Sequence, residues 1–213
     1  MLVLQATKGV SVHTFDAATG CVASSTVIIA NNRLNHGLAL TPDGKTLYAS
    51  SETTAWSWSY DAAAMKATNQ QTVVKGISTG IHSTRTMLVV PQAPNYVLLQ
   101  AGSNGNWDYA SGSPSAGRAI VKVFDMSKVP SGGYDYNTGG AVLGYGLRNE
   151  VALAFDPAGN VWGAENSGDV SAAVLRIEGI DMLTFRLAGL PTDSQRAVNG
   201  YPHRQPSRRA ELP

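Results

Sequence analysis

The 213-residue chain has a single cysteine, Cys21, which excludes an internal disulfide. Long apolar runs are missing as well. No stretch reaches the roughly 18 residues of a membrane-spanning helix, and the opening MLVLQAT is too short and too soon interrupted to be a secretory signal. Charge is sparse: 16 Lys and Arg against 15 Asp and Glu leave a formal net charge of +1. That balance creates no global field toward nucleic acid or an anionic membrane, so neither is expected as a partner. There is no HExxH zinc motif, no GxSxG elbow, no Walker loop and no dinucleotide fingerprint at a strand-to-helix junction. No amphipathic stretch of about 10–15 residues separates the strand-like segments, which argues against βαβ units.

What is present is turn chemistry set among apolar strands. The 22 glycines and 10 prolines punctuate a chain that is 43% hydrophobic, the composition of a turn-rich packed protein rather than a disordered one. One unit recurs: HGLALTPDGKTLYASS at 36–51, VALAFDPAGNVWGAEN at 151–166 and, more loosely, TMLVVPQAPNYVLLQAGSN at 86–104. Each reads as a hairpin, with Pro, Asp and Gly setting the reversal between β-branched and aromatic strands. A shorter unit ends in an aromatic and an aspartate: VHTFD at 12–16, WSWSYD at 56–61 and VKVFD at 121–125. Asp16, Asp61 and Asp125 lie 45 and 64 residues apart, which suits four-stranded propeller blades with unequal loops. A β-sandwich with chance similarity between its hairpins is the alternative. These aspartates, with Asp43 and Asp156, read as turn residues whose carboxylates accept local backbone hydrogen bonds.

Two loops stand out. Residues 101–117, AGSNGNWDYASGSPSAG, form a long polar connection in which Trp107 and Tyr109 suggest a packed or ligand-facing loop. Residues 131–140, SGGYDYNTGG, read as a turn-rich surface loop. The end of the chain differs from the rest: four arginines and six lysines precede residue 170, and six arginines and no lysines follow it. Residues 170–213 are therefore expected to be a divergent, irregular C-terminal extension, although RIEGIDMLTFRLAGL is apolar enough for a short strand or helix.

Candidate chemistry gathers in two places. His82, in GIHSTRTML with Arg85 three residues later, suits a general base because imidazole titrates near neutral pH. His36 precedes a strand and suits a ligand contact. A hydrogen-bonded structural role is the alternative for both histidines. Arg148, Asn149 and Glu150 come just before a strand, while Glu165, Asn166 and Asp169 follow its hairpin partner. Hairpin ends meet, so all six share one rim, either to hold an anionic cofactor or to close the sheet with a polar network.

The strings LNHGLALTPDGKTLYASS, HSTRTMLVV, SNGNWDYASGSPSAGRAIVKVFD and YGLRNEVALAFDPAGNVWGAENSGD, in that order, resemble the glucose and sorbosone dehydrogenase family over residues 12–169. The likeness is to its fungal branch of pyrroloquinoline quinone-dependent pyranose dehydrogenases. The resemblance implies an all-β propeller that oxidises a sugar to a ketone or lactone with pyrroloquinoline quinone and calcium. By the same resemblance, His82 is the catalytic base and Arg148 and Asn149 lie beside the quinone. Arg85 and His36 join them in binding the cofactor, and Trp107 and Asp108 contact substrate. The calcium ligands stay unassigned. It further implies an external electron acceptor such as a haem protein or domain, and an extracellular location. After Asp169 the branch's pattern stops, because VSAAVLRIEGI has no counterpart in it. The expectation is thus a partial β-propeller over residues 8–169, about three blades of a normally six-bladed ring. It is either a portion of a quinone-dependent sugar dehydrogenase or a noncatalytic truncated propeller that binds carbohydrate or protein.

Overall fold

The structure is a computed structural model that describes residues 1–166 and the backbone of residues 180–185. All the strands fall into four sheets. The first is β1 (Leu2–Gln5), β2 (Gly9–Phe15) and β3 (Val22–Ala30), in that order. The second runs from β4 (Leu34–Leu40) through β5 (Thr46–Ser51) and β6 (Thr54–Asp61) to β7 (Lys66–Lys75). In the third, β8 (Met87–Val89), β9 (Tyr96–Ala101) and β10 (Ile120–Asp125) are followed by β12 (Ala141–Tyr145). Between them in sequence, β11 (Tyr134–Asp135) leaves the third sheet and pairs parallel with β7 of the second. The fourth sheet is β13 (Glu150–Phe155), β14 (Val161–Asn166) and β15 (Ile180–Phe185). Helix is confined to three short 3₁₀ turns among the described residues, none long and apolar enough to cross a membrane.

Local chemistry explains the hairpins. Between β4 and β5, Asp43 accepts the Thr41 hydroxyl at 2.6 Å and the Lys45 amide at 3.0 Å. Gly44, at φ +70°, supplies the left-handed residue of that turn. Asp156 does the same between β13 and β14, accepting the Ala158 and Asn160 amides; the Asn160 side chain and the Trp162 indole hold its carboxyl down at about 2. Asp16, Asp61 and Asp125 likewise accept backbone amides two or three residues on.

The sheets stack face to face with a core in each seam, so the central strands are apolar on both sides. Leu47 and Ala49 of β5 join Val10, Leu34, Trp56 and Trp58 between the first two sheets, while Tyr48 between them points the other way. Val97, Leu99, Ile120 and Phe124 join Tyr48 in the second seam; Leu98, Val121 and Val123 face the third. Burying each such side chain contributes about 1.5–3 kcal/mol before chain entropy is counted. Strand β1 lies against β4, β4 against β8, and β8 against β13. First strands therefore gather at one side, as in a propeller whose inner strands line its axis.

Three expectations are refined. Four sheets are described where about three blades were expected, and the first begins at Leu2 rather than at residue 8. Its β1–β2 turn was hidden because the β-branched Thr7, not a glycine or asparagine, adopts the left-handed conformation, at φ +68°. Residues 131–140 are largely exposed and turn-rich, as expected, but the loop is anchored in the core. Tyr136 is fully buried, its hydroxyl donates to Leu99 O or Ile120 O, and the Lys122 ammonium donates to the carbonyls of Tyr136, Asn137 and Gly139. Within the extension, β15 is the short strand that RIEGIDMLTFRLAGL allowed, antiparallel to β14 with Val161 opposite Phe185. The rest of residues 170–213, and Asp169, lie outside the described residues.

Candidate functional site

The irregular segment between β7 and β8 carries His82, and Arg85 shapes that segment. Its guanidinium, with no exposed surface, donates to four backbone carbonyls: Glu52 through Nε, His82 and Thr84 through one terminal nitrogen, and Ser78 through the other. A buried cation surrounded by carbonyls is satisfied without a carboxylate partner. Arg85 is thus committed to the backbone. It positions the turn that presents His82.

The His82 ring is held through Nδ1, which lies 3.0 Å from both the carbonyl oxygen and the hydroxyl of Ser103. That hydroxyl donates to Gly105 O at 2.8 Å. Both Ser103 oxygens therefore act as acceptors toward the ring, the proton sits on Nδ1, and Nε2 carries the lone pair. No described residue bonds Nε2. Burial lowers the His82 pKa, and the positive fields of Arg148 and Arg85 lower it further against the opposing effect of the Ser103 carbonyl. The neutral imidazole is the form held at neutral pH.

Opposite this ring lies the rim formed by the ends of β13 and β14. Glu150 pairs with Glu165 in the β13–β14 register, and Asn149 O accepts the Asn166 amide at 2.8 Å. The Arg148 amide donates to a Glu165 carboxylate oxygen; its guanidinium donates to Asn166 O at 2.6 Å and to the Asn106 side chain. Gly102 joins rim and histidine. A Cβ there would lie 2.6 Å from His82 Cβ, 3.0 Å from Asn149 Oδ1 and 3.2 Å from Arg148 O, so only glycine admits this convergence. The neighbouring Ser103 amide donates to Arg148 O at 2.8 Å.

Bonding capacity is left over here. Asn149 Oδ1, Arg148 Nε and both Glu150 carboxylate oxygens are buried without hydrogen-bond partners among the described residues. Glu150 has no exposed surface, and burial, seconded by the Glu165 charge, raises its pKa to about 8. Five of the six rim residues expected from the hairpin are therefore brought together, and Asp169 lies outside the described residues.

The other predicted residues divide. His36, on β4, reaches across to Val151 O with its Nε2 at 3.1 Å, linking the inner strand of the second sheet to the first strand of the fourth. Trp107 is 67% exposed beside Asn106, which bonds Arg148. Asp108 is tied into its own loop. Arg118 holds both its oxygens, at 2.6 and 3.1 Å, and keeps its carboxyl below the usual range, while the Asn104 amide adds a further bond. It anchors the loop, because Arg118 closes that loop ten residues on. Residues missed from the sequence are Gly102, Ser103 and Asn106. Their only signal was a glycine directly after the apolar strand YVLLQA, where a close backbone approach is a standing possibility.

Inner strands gathered at one side, with His82, Arg148 and Asn149 brought together around Gly102 at that side, define an all-β protein of propeller-like architecture with a polar rim. The TrAA12-like family pattern matches residues 1–182. A pyrroloquinoline quinone-dependent pyranose dehydrogenase of Coprinopsis cinerea is 39% identical over 209 residues, covering 95% of this chain and 29% of that protein. Among solved structures, the holo form of the pyranose dehydrogenase PQQ domain from Coprinopsis cinerea superposes with a TM-score of 0.76 at 44% identity, covering 79% of this chain and 41% of that one. The calcium structure of the Trichoderma reesei Carbohydrate-Active Enzymes Family AA12 protein gives 0.79 at 29% identity, covering 89% and 50%.

The chain belongs to the family of pyrroloquinoline quinone-dependent sugar dehydrogenases, in its TrAA12-like branch. It spans less than a third of the length of the curated Coprinopsis relative. The family pattern begins at residue 1 and runs past Asp169, so the likeness is longer at both ends than the motifs alone indicated.

Proposed function

We propose that this chain contributes the proton-accepting and part of the quinone-binding portion of a sugar dehydrogenase built as a six-bladed ring. The observation that carries this reading is the convergence, around a side-chain-free Gly102, of His82 with a free Nε2 and of two buried, unpaired polar atoms, Asn149 Oδ1 and Arg148 Nε. These groups fit a planar, carboxylate-bearing quinone: a cation for its charge, an amide for orientation, and no side chain in between. Arg148 and Asn149 would hold it, with His36 contributing from the neighbouring inner strand. When bound, pyrroloquinoline quinone with calcium supplies the two-electron acceptor for oxidation of a sugar hydroxyl.

The chain's own task is the proton. Nδ1 donates to Ser103, which orients the ring and leaves Nε2 to accept the hydroxyl proton; the lowered pKa keeps that nitrogen free at neutral pH. Trp107 offers an exposed aromatic face for a sugar ring at the same rim. Among the described residues no cluster of three His, Cys, Asp or Glu side chains is placed to hold a metal, and no calcium ligand is assigned. An extracellular setting and an external acceptor such as a haem protein belong to the same reading.

Calorimetric titration of the folded chain with pyrroloquinoline quinone, with and without calcium, tests it. Saturable, calcium-dependent binding that Gly102→Ala abolishes is expected. A folded chain that binds no quinone removes the reading and leaves a noncatalytic carbohydrate- or protein-binding propeller.

A further inference from the structure

We propose that the groove between the first two sheets is a second binding site, one for the uronate units of an acidic oligosaccharide. The groove is built from β3, the β3–β4 connection and the outer strands β6 and β7, whereas the His82 site lies at the inner strands. Its volume is about 680 Å³, within the roughly 300–1,000 Å³ of small-molecule sites. Lys8 and Arg33 line it, together with the amides of Asn31, Asn32 and Gln70, and no carboxylate does.

Arg33 is the centre of the argument. Its guanidinium carbon sits 5.1 Å from the centroid of the Trp56 ring, and Trp56 is itself packed into the core beside Trp58. This cation–π contact holds the guanidinium against the ring. Yet its side chain makes no hydrogen bond or ion pair to any described residue, and the same holds for Lys8. The ion pairs among the described residues are Arg118 with Asp108 and Lys128 with Asp125. A pre-oriented fork of five N–H donors, unopposed by any acid, is the recognition geometry of a carboxylate or phosphate.

The amides decide between those two. Phosphate needs donors, and the cations suffice for it, whereas Asn32 and Gln70 offer donors and acceptors in pairs, as vicinal sugar hydroxyls require. Asn31 contributes its Nδ2, because its Oδ1 accepts the Arg33 amide at 3.0 Å. A second cavity of about 390 Å³ shares Trp58 and Gln70 with the first and continues it past Ser57, Ser59 and Asn69, again without a carboxylate. The cleft is therefore longer than one sugar unit, charged at one end and rich in hydroxyls and amides along its length.

The test is titration of the full chain with trigalacturonate, maltotriose and inorganic phosphate, read by calorimetry and by the emission of the tryptophan under Arg33. Saturable, salt-sensitive binding of trigalacturonate is expected, with none of maltotriose. Arg33→Ala should weaken it by about tenfold or more, and Lys8→Ala by several-fold. Both side chains are exposed, so the fold should survive, and the Lys8 variant serves if the Arg33 variant does not fold. No binding by the folded chain overturns the proposal. So does trigalacturonate affinity indifferent to both substitutions, or phosphate binding as tightly as trigalacturonate, which reduces the groove to a simple anion site. Quinone binding at the His82 site does not enter either outcome.

Discussion

Two regions of this molecule bury a cation under backbone carbonyls, and they differ in what remains unbonded. Around Lys122, three carbonyls receive the ammonium, the Tyr136 hydroxyl faces two more, and the Tyr136 ring packs against Phe124. The Lys122 and Tyr136 side chains keep no buried atom without a partner, although Gln100, next to Leu99 on β9, keeps both its side-chain amide atoms unpartnered among the described residues. Around Arg85 the cation is equally well bonded, yet Thr84, Arg148, Asn149 and Glu150 nearby all keep buried polar atoms without one. Buried polar groups are costly unless paired, so a region built only for stability closes its bonds. Unmet capacity among the described residues beside the His82 Nε2 is what sets this region apart, and it is the observation on which the proposed function rests.

The largest expected effect separates the two cations by what they support. Arg85→Ala leaves four carbonyls facing a void, and urea denaturation should show a loss of about 3–5 kcal/mol. A loss below about 1 kcal/mol would make Arg85 a spectator. Glu150 comes next. Its pKa lies well above that of the unfolded chain, so between about pH 5 and pH 8 the folded state keeps a proton that the unfolded state releases. Stability is then full below about pH 5 and falls by roughly 2–4 kcal/mol as pH rises to 8. Glu150→Gln should flatten that slope in melts at both pH values.

Lys122→Met fills the same space with an apolar chain and should cost about 1–3 kcal/mol, with quinone binding unchanged. Any change in binding would break the division between the two regions. The smallest effect is expected at Asp108→Asn, which loosens the loop anchored by Arg118. Faster proteolytic cleavage between residues 104 and 118 should appear without a shift in the melting temperature.

The hairpins were legible because their turns carry their own chemistry: Asp43 and Asp156 accept the amides that close them, and the strand ends at Asp16, Asp61 and Asp125 follow the same rule. His82, Arg148 and Asn149 stood out by residue type and by the meeting of hairpin ends, and the family resemblance added the role expected of each; spacing alone does not say which loops meet at an axis. Arg85 and Asp108 look equally functional in a string of letters. Only the carbonyls around the one and the Arg118 fork on the other reveal that their bonds are already made. The β11–β7 pairing was invisible because its two-residue strand depends on partners some sixty residues away, Tyr134 opposite Val74 and Asp135 opposite Lys75.

That pairing has a consequence for how the molecule comes apart. The chain leaving the third sheet crosses the seam, hydrogen-bonds to the outer strand of the second and returns, so separating these sheets breaks backbone bonds as well as side-chain packing. Among the described residues no strand pairing crosses the seams on either side, and the third seam has backbone bonds only near its rim, such as Ser103 N–H to Arg148 O. The middle pair should therefore exchange its amide hydrogens as one cooperative block, with the flanking sheets loosening first.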